Sequence, residues 1–527
     1  MEPTSKPSSV RKLLVRVLLL GVFVLLLRFV YVVAVHGGAC DSGDFCLFSS
    51  PSDLAVDGAA AGSGGGPFVR VVGGGGRGGA AASTPALRAL WTSREWRKAV
   101  EYYSAVFQDL LAEGFLSPAS RSLCVDAPAG YEVLALREIG VPDAVGVAKK
   151  KAPPLVVAGD LLRQPFAAGE FDFVFAGRSL DRSKRPADLA AEIARTTKPE
   201  GFLVVHTASA ADLYSLRSLR DLFPGFKSVR SREINGPDSS STLREIVFQK
   251  QVGSSSILSP EEDDLENSDR PSGGNSVNKC SIPEHKLQIV QLAEPLIEEE
   301  PLKPWITLKR NLKNIKYLPS VADISFKQRY VYVDVGARSY GSSIGSWFKK
   351  QYPKQNHTFE IYAIEADKAF HKEYASKKGV NLLPFAAWVR NETLTFEINQ
   401  NPDLKDDEKG HGMGRIRPVG GSNPVSSGEV RAIHGFDFAQ WLKRTVSKND
   451  YVVMKMDVEG TEFDLVPRLF ETGAICLIDE LFLECHYNRW QKCCPGQRSP
   501  KYHNTYGECF ELFTSLRESG VLVHQWW

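Results

Sequence analysis

The chain has 527 residues, a formal net charge of +2 and 24% charged residues. This length allows two or three ordinary domains, and the balanced charge gives no reason to expect a nucleic acid as a partner. Function must therefore come from local sites.

An apolar stretch near the amino terminus, residues 17–36, is long enough as a helix to cross a hydrocarbon core of about 30 Å. The residues before it are basic and those after it are acidic, which by the positive-inside rule places residues 1–16 in the cytosol. The pattern predicts a single-pass type II membrane protein of the secretory pathway, with the Golgi as the expected compartment. A cleaved signal peptide is the alternative interpretation.

Composition divides the rest of the chain. Residues 37–84 are dominated by Gly and Ala and predict a flexible stem. Residues 251–285 are rich in Ser, Gly and acidic side chains and predict a linker. We therefore expect two globular halves, at 85–250 and 286–527.

Nine cysteines follow the apolar stretch, where an oxidising lumen would permit disulfides. A zinc site is the alternative for a group near the carboxyl end that contains no Cys-x-x-Cys pair: Cys485, His486, Cys493, Cys494, His503 and Cys509. We favour disulfides or structural thiols. Two glycosylation sequons, at Asn356 and Asn391, agree with a lumenal location.

The first half alternates strand and helix patterns and predicts a doubly wound α/β sheet. It resembles the class I S-adenosylmethionine-dependent methyltransferases in the Phe171-Asp172 strand and in the turn at residues 198–201. Where that family has an acid followed by a Gly-x-Gly turn, this chain has the segment 126–130 with Pro128, which lacks a donor and forbids positive φ. Three lysines, 149–151, replace the acid after the second strand. We interpret this half as a degenerate, ligand-free copy with a structural or regulatory role.

The second half also predicts a doubly wound, Rossmann-like sheet, behind the same anchor. Its expected strands are apolar runs at 330–334, 360–365, 380–388, 451–457, 477–485 and 521–527. A helix is expected at 461–472, ended by Gly473.

Acids stand at the ends of these strands. Asp334 is followed by Gly336, and Glu365 ends the next strand about 30 residues later. Sheets of this kind hold a nucleotide-like ligand with a glycine turn and with an acid one βαβ unit later. The backbone of the turn contacts the ligand, and the carboxylate accepts hydrogen bonds from the ribose hydroxyls.

This half resembles the FkbM-type methyltransferases. The resemblance covers roughly 200 residues and is carried by four strings: 333–337, 363–367, 455–462 and 483–486. Together with the anchor and the Trp526-Trp527 terminus, the chain resembles a plant family of membrane-anchored methyltransferase-like proteins.

The resemblance implies S-adenosylmethionine as cofactor. The residues it implies as cofactor-binding are Asp334, Gly336, Ala337, Gly341 and Glu365. The helix after Gly341 would offer its amino end to the methionyl carboxylate. The chain departs from the family pattern at Arg338-Ser339-Tyr340, which displaces the second glycine.

Asp457, Glu459 and His486 are the candidate catalytic residues, and we assign them no metal. Strand alternation sends the two carboxylates to the same side, where one could act as a general base or both could share a metal ion. His486 is a second base candidate. Lys455 is expected to pair with an acid. The glycine-rich loop 409–417 is expected to be a surface loop, with contact to an anionic acceptor as the alternative.

The sequence therefore predicts an S-adenosylmethionine-dependent methyltransferase that acts on a sugar or other hydroxyl acceptor. The first alternative is a non-catalytic methyltransferase-fold scaffold in the Golgi membrane, supported by Pro128 and the segment 338–340. The second is a metal-dependent glycosyltransferase, in which Asp457 and Glu459 would bind the ion.

Overall fold

The computed structural model describes residues 93–238, 241–252, 284–398, 414–417, 429–491 and 496–526. The predicted span at 17–36, the stem and nearly all of the linker lie outside them, as does most of the loop 409–417. Within the described residues, no helix has both the length and the apolar character needed to cross a membrane.

The first half is a seven-stranded sheet with helices packed on it. Its strands are β1 Ser122–Val125, β2 Ala144–Ala148, β3 Val156–Ala158, β4 Phe171–Gly177, β5 Thr197–Thr207, β6 Phe226–Asn235 and β7 Thr242–Lys250. Its helices are α1 Arg94–Ala112, α2 Tyr131–Glu138, α3 Ser179–Arg182, α4 Pro186–Thr196 and α5 Leu213–Asp221. The strand order is β3-β2-β1-β4-β5-β7-β6, and β7 runs antiparallel to both neighbours while the other pairs are parallel.

The second half contains two sheets. Its strands are β8 Tyr330–Val335, β9 Glu360–Ile364, β10 Val380–Leu383, β11 Ala386–Trp388, β12 Glu392–Ile398, β13 Gly414–Arg417, β14 Glu429–Asp437, β15 Tyr451–Met456, β16 Glu480–Glu484 and β17 Leu522–Trp526. Six of them form a parallel sheet in the order β10-β9-β8-β15-β16-β17. The other four form a mixed sheet in the order β11-β14-β12-β13.

Helices cover the parallel sheet of the second half. They are α6 Glu284–Gln291, α7 Pro304–Asn311, α8 Leu318–Val321, α9 Lys349–Gln351, α10 Lys368–Ala375, α11 Phe438–Thr445, α12 Glu462–Glu471 and α13 Tyr506–Glu518. A π-helical turn, Ile344–Phe348, precedes α9, and 3₁₀ turns lie at Leu312–Asn314 and Ala474–Leu477. The mixed α/β class with Rossmann-like parallel sheets is confirmed.

The two halves share their hydrophobic cores. Tyr214 of α5, in the first half, is fully buried in a cluster otherwise made of second-half residues such as Tyr332. In return, Phe326 of the second half is buried in a cluster otherwise made of first-half residues. The Lys327 ammonium lies 4.7 Å from the centre of the Tyr214 ring, and the Asp323 N–H donates to the Asp212 carboxylate at 3.2 Å.

The states of four cysteines bear on the zinc alternative. Cys485 at the end of β16 is bonded to Cys509 of α13, and Cys476 is also disulfide-bonded. Cys124 of β1 is a buried free thiol. Because Cys485 and Cys509 are bonded to each other, neither is available as a thiolate ligand, and the disulfide interpretation is the correct one for this pair.

A buried histidine fixes the last strand of the parallel sheet. His524 of β17 is fully buried between two carboxylates, with Glu294 2.8 Å from Nδ1 and Glu480 3.0 Å from Nε2. Burial alone would lower the pKa of His524, but hydrogen bonds and attraction to these two carboxylates outweigh it and raise the pKa. The imidazolium, which donates from both nitrogens, is therefore the form that fits the site.

We expect the His524→Gln substitution to destabilise the protein by about 3 kcal/mol, because it removes the cation that contacts both buried carboxylates and leaves only Arg517, 3.8 Å from Glu294. A raised pKa means that the contribution of His524 is fully present below its unfolded pKa of about 6.5 and is lost as pH rises through the folded pKa. Urea denaturation between pH 6 and 9 measures the free energy of unfolding of wild type and variant. The difference between the two free energies should become smaller as pH rises. The matched control is His503→Gln, which changes an exposed histidine. A difference in free energy that does not depend on pH would contradict the assignment of His524 as a buried imidazolium.

Candidate active site

A cleft of about 790 Å³, partly open to solvent, lies at the carboxyl ends of the central strands of the parallel sheet. The ends of three strands line it: Val335, Gly336 and Arg338 at the end of β8, residues 364–367 at the end of β9, and Asp457, Val458, Glu459 and Thr461 after β15. Residues 385–387 and Ile416 of β13, in or next to the mixed sheet, also line it. Ligands of open α/β sheets bind at this edge, outside the carboxyl ends of the strands.

Gly336 is held against the neighbouring loops on both sides. Its N–H donates to the carbonyl of Ile364 at 3.0 Å, and its φ of +77° is one that side chains disfavour. A Cβ at this position would lie 1.8 Å from the carbonyl oxygen of Asp457. Only glycine therefore allows the β8 and β15 loops to pack this closely.

Glu365 is 8% exposed and extends from the end of β9 into the cleft. Its Oε2 accepts the N–H of Arg338 at 2.6 Å and its Oε1 accepts the N–H of Asp367 at 2.6 Å. Burial raises the pKa of Glu365 to about 7. The two backbone donors fix the carboxyl group, and each oxygen keeps a second lone pair for a ligand hydroxyl.

The other predicted cofactor residues do not line the cleft. Asp334 is fully buried beneath it, hydrogen-bonded by Ser343 and 3.8 Å from the Lys455 ammonium. Ala337 is also fully buried, and Gly341 lies beyond the cleft in a turn with open space around its Cα. Asp334 therefore supports the loop from below.

An apolar wall completes the cofactor side of the cleft. It is formed by Ile364, Phe370, Phe385 and Ile416. Phe385 is 41% exposed, which is unusual for so large a side chain. These residues were not assigned from sequence, because they belong to four separate segments whose meeting depends on the mixed sheet. Apolar and aromatic linings of this kind accept rings such as a nucleobase.

The β15 end carries the first part of a charged cluster. The Lys455 ammonium lies 3.5 Å from Asp457 Oδ2 as well as 3.8 Å from Asp334. Burial alone would lower the pKa of Lys455, but the two carboxylates outweigh it and raise the pKa. Lys455 is thus paired with acids, as its pattern predicts. The N-cap residue of helix α12 is Thr461, and its side chain makes no capping hydrogen bond. Asp457 is therefore not the N-cap of this helix.

Glu459 and His486 adjoin Asp457. Glu459 has a φ of +52° and accepts hydrogen bonds from Lys501, at 2.7 Å, and from the Tyr502 hydroxyl. His486 Nε2 lies 3.7 Å from Asp457 Oδ1 and 3.9 Å from Glu459 Oε2. The structure therefore brings the three predicted catalytic residues together.

Two further carboxylates surround His486. Glu462 is fully buried and accepts the His486 backbone N–H at 2.6 Å, with its Oε1 3.2 Å from Nδ1. Glu484 Oε1 lies 3.7 Å from Nε2. Sequence analysis assigned neither residue, although Glu484 ends β16 in the way that Asp457 follows β15, which is the signal that could have found it.

The pKa values of two residues in this cluster differ from their ordinary values. Burial would lower the pKa of His486, but the hydrogen bond and charge of Glu462 and the charges of Glu484 and Glu459 raise it to about 9. His486 is therefore an imidazolium at neutral pH in the ion-free cluster, which is not the form of a general base. Burial and the charge of Asp457 raise the pKa of Glu484 to about 7.

The corresponding loop of the first half is occupied by protein contacts. Asp126, after β1, has a φ of +55° and accepts from Arg182 at 2.9 Å. A Cβ on Gly130 would lie 2.9 Å from the Leu155 Cβ, so the loop packs closely on the segment that leads into β3. A separate cleft of about 570 Å³ includes Asp126 and Arg182 in its lining. The acid of this half is thus already paired with a cation.

Two protein families match parts of this chain, one in each half. A family described as a methyltransferase domain (Methyltransf_11) matches residues 139–205. A family described as a domain of unknown function (DUF7870) matches residues 290–397 and 422–527. The sequence has no significant match among curated proteins. The first match begins after the loop at 126–130, the part of the first half that departs from the methyltransferase pattern.

Many solved structures align with parts of this chain. The [4+2]-cyclase SpnF aligns at 16% identity over 28% of this chain and 81% of its own, with a TM-score of 0.25. The 1,6-didemethyltoxoflavin-N1-methyltransferase of Burkholderia thailandensis aligns at 16% identity over 31% and 82%, with a TM-score of 0.25. The PH0226 protein of Pyrococcus horikoshii OT3 aligns at 13% identity over 30% and 93%, also at 0.25. These TM-scores are too low to carry an argument about function.

The methyltransferase match confirms the predicted enzyme class, an S-adenosylmethionine-dependent methyltransferase, and with it the predicted cofactor. The cleft of the second half fits that cofactor by the chemistry of its lining. It offers an apolar wall, a carboxylate held by backbone donors and a glycine turn within one open space.

We expect Gly336→Ala to disrupt the close packing of the β8 and β15 loops, because the new Cβ would collide with the Asp457 carbonyl. The positive φ of an alanine here would cost a further ~1–2 kcal/mol of folding free energy. Thermal unfolding should show a lower Tm, and calorimetric titration should show cofactor affinity reduced at least about 100-fold. Gly341→Ala is the matched control, since nothing lies within 4 Å of its added Cβ. Equal effects of the two substitutions would refute the close-packing explanation.

Proposed function

We propose that the second half is the catalytic methyltransferase and transfers the methyl group to a hydroxyl oxygen, with a sugar as the favoured acceptor class. One observation carries this proposal: Gly336 and Glu365 line the same cleft as Asp457 and Glu459. A cofactor held by the first pair would present its methyl group toward the second pair. The acceptor would then enter from the side of β15.

Each part of the cofactor has a chemical counterpart in the cleft. The Glu365 carboxylate would accept the ribose hydroxyls, and the wall that includes Phe370 and Phe385 would hold the adenine ring. The exposed backbone at Gly336 would permit close approach of the methionyl group. S-adenosylmethionine supplies an electrophilic methyl group on a positively charged sulfur.

The protein would contribute alignment and proton removal. Methyl transfer between bound partners depends mainly on holding the oxygen in line with the methyl group. Asp457 lies in the cleft with Lys455 fixing one of its oxygens, and it would take the hydroxyl proton as the O–C bond forms and the S–C bond breaks. The products would be the methyl ether and S-adenosylhomocysteine.

We propose further that this half is of the FkbM type and that the chain belongs to the plant family of membrane-anchored methyltransferase-like proteins. Support comes from the string 455–462, which the structure places as the end of β15, its loop and the start of α12. The matched family of unknown function covers residues 290–397 and 422–527, the same half that contains this string. The first half would serve as structural support.

For location we propose a single-pass type II protein of the Golgi or another secretory membrane, with both halves in the lumen. The apolar stretch 17–36 and the charges around it favour this topology. The Cys485–Cys509 disulfide fits an oxidising compartment. Both sequon asparagines, Asn356 and Asn391, are exposed.

The non-catalytic scaffold remains the first alternative function. It differs from the enzyme by a single property, since a scaffold would not bind S-adenosylmethionine. Two departures from the family pattern support the scaffold: the displaced second glycine, Gly341, and the bulky Arg338, which lines the cleft. Cofactor titration therefore decides between the two.

We expect wild-type protein to bind S-adenosylmethionine about tenfold more tightly at pH 8 than at pH 6. Hydroxyl donors prefer the ionised carboxylate, and a Glu365 pKa of about 7 makes the ionised fraction rise roughly tenfold over this interval. Glu365→Gln should weaken binding about 10- to 100-fold and remove this pH dependence. The measurement is calorimetric titration of the full-length protein.

The control for this titration is Glu518→Gln, which neutralises an exposed carboxylate at the end of α13. It should bind like wild type. No binding by folded wild-type protein would refute the catalytic proposal in favour of the scaffold. Binding that Glu365→Gln leaves unchanged would place the cofactor elsewhere, the cleft of the first half being the next candidate.

The lumenal location predicts glycans on both sequons. Expressed in eukaryotic cells, the full-length protein should shift to higher mobility on gels after peptide-N-glycosidase treatment. Asn356→Gln and Asn391→Gln should each remove one step of the shift, and the double variant should remove all of it. Insensitivity of the wild-type protein to the glycosidase would contradict the lumenal assignment.

A further inference from the structure

Asp457, Glu459 and His486 each offer one ligand atom, and the three atoms lie within 4.8 Å of one another. We propose that these three residues bind a divalent cation and that this cation binds the acceptor oxygen. The cation site stands on its own observations, whereas its role toward the acceptor rests on the proposed methyltransferase function.

The orientation of His486 is the first observation. Its side chain is nine-tenths buried, and Glu462 holds the Nδ1 edge of the ring, so Nε2 is directed toward the other carboxylates. The distances from Nε2 to Asp457 and Glu459, 3.7 and 3.9 Å, are too long for hydrogen bonds. They are below about 4.2 Å, the largest separation that two ligands can have when each lies about 2.1 Å from one ion.

The role of Glu462 is the second observation. A metal-binding histidine generally has its other nitrogen held by a carboxylate or carbonyl, which fixes the ring orientation. Glu462 is fully buried and contacts both the backbone N–H and the Nδ1 of His486. It also accepts the N–H of Gly460, next to Glu459. One buried carboxylate thus positions ligands from two strand ends.

Charge is the third observation. Among the described residues, three carboxylates lie near Nε2 and a fourth lies near Nδ1, and two ammonium groups are paired with members of this set. The six side chains are Asp457, Glu459, Glu484, Glu462, Lys455 and Lys501. When the imidazole is neutral, as it must be to bind an ion through Nε2, the six side chains carry a formal charge of −2. A divalent cation balances this charge in full.

The donor set indicates the kind of ion. One imidazole with two carboxylates suits Mn²⁺ or Zn²⁺ better than Ca²⁺ or Mg²⁺, which prefer oxygen ligands alone. Three protein ligands leave positions open for substrate or water. Because Asp457 and Glu459 also line the cleft, the open positions would face the methyl donor. An acceptor with two adjacent oxygens, such as a vicinal diol or a hydroxy acid of a sugar, could chelate the ion there.

In this arrangement Asp457 holds the cation, and the ion takes over the task of promoting proton loss. A hydroxyl bound to a divalent ion loses its proton more readily, and the proton would leave to solvent through the open cleft. The resulting oxygen would take the methyl group from the sulfonium, with the O–C bond forming as the S–C bond breaks. One methyl ether, one S-adenosylhomocysteine and one proton are produced.

Titration of full-length protein with MnCl₂ alone, followed by the electron paramagnetic resonance signal of free Mn²⁺, tests the site. Wild type should bind one ion per chain. His486→Ala and Asp457→Asn should each weaken binding by about 100-fold or more. Glu462→Gln, which removes no ligand but weakens the support of His486 and of the Gly460 loop, should weaken it by about 10- to 100-fold. Glu471→Gln on the exposed side of α12 and His503→Gln are the controls and should bind like wild type.

Absence of Mn²⁺ binding by folded wild type, or equal binding by wild type and the His486→Ala and Asp457→Asn variants, would overturn the cation site. Circular dichroism and S-adenosylmethionine titration establish that each variant is folded. Glu365→Ala separates the two proposals, because it should lose the cofactor and keep Mn²⁺. If wild type binds Mn²⁺ but no S-adenosylmethionine, the cation site stands and the role assigned to it in methyl transfer falls.

Discussion

The contact between the Gly336 and Asp457 backbones is the constraint on which the candidate site depends. β8 and β15 are neighbouring parallel strands, so their loops leave the sheet side by side, and no Cβ fits between them. One loop lies on the cofactor side of the cleft and the other carries the charged cluster. The closest approach of the two loops is therefore set by van der Waals contact between their backbones, and a side chain at residue 336 would force them apart.

Sequence patterns located the parallel sheet of the second half closely, because each buried strand is a continuous run of apolar residues. The predicted 330–334 and 451–457 became β8 and β15 with bounds changed by one residue at the carboxyl end. The expected strand at 380–388 is instead two strands, β10 and β11, that belong to different sheets. The mixed sheet was not predicted, because its strands pair across long insertions. The local hydrophobic pattern of a strand does not indicate which other strand it pairs with.

The sequence indicates which residues lie near one another where a residue ends or follows a parallel strand. The structure places Glu365, Asp457 and His486 at one edge of the sheet, because the ends of parallel strands meet there. Gly341 was assigned by spacing within a motif, but the turn after β8 carries it away from the cleft. Glu462 was not assigned, because its fully buried position under His486 depends on how α12 packs on the sheet.

The shared cores have a consequence for how such a chain can change over evolutionary time. Tyr214 fills space in the core of the second half, and Phe326 fills space in the core of the first. Deleting either half would leave a hole in the one that remains and expose its lining to water. Selection to preserve one half therefore preserves the other, so a domain can outlast the loss of its own ligand as an indispensable part of its neighbour's interior.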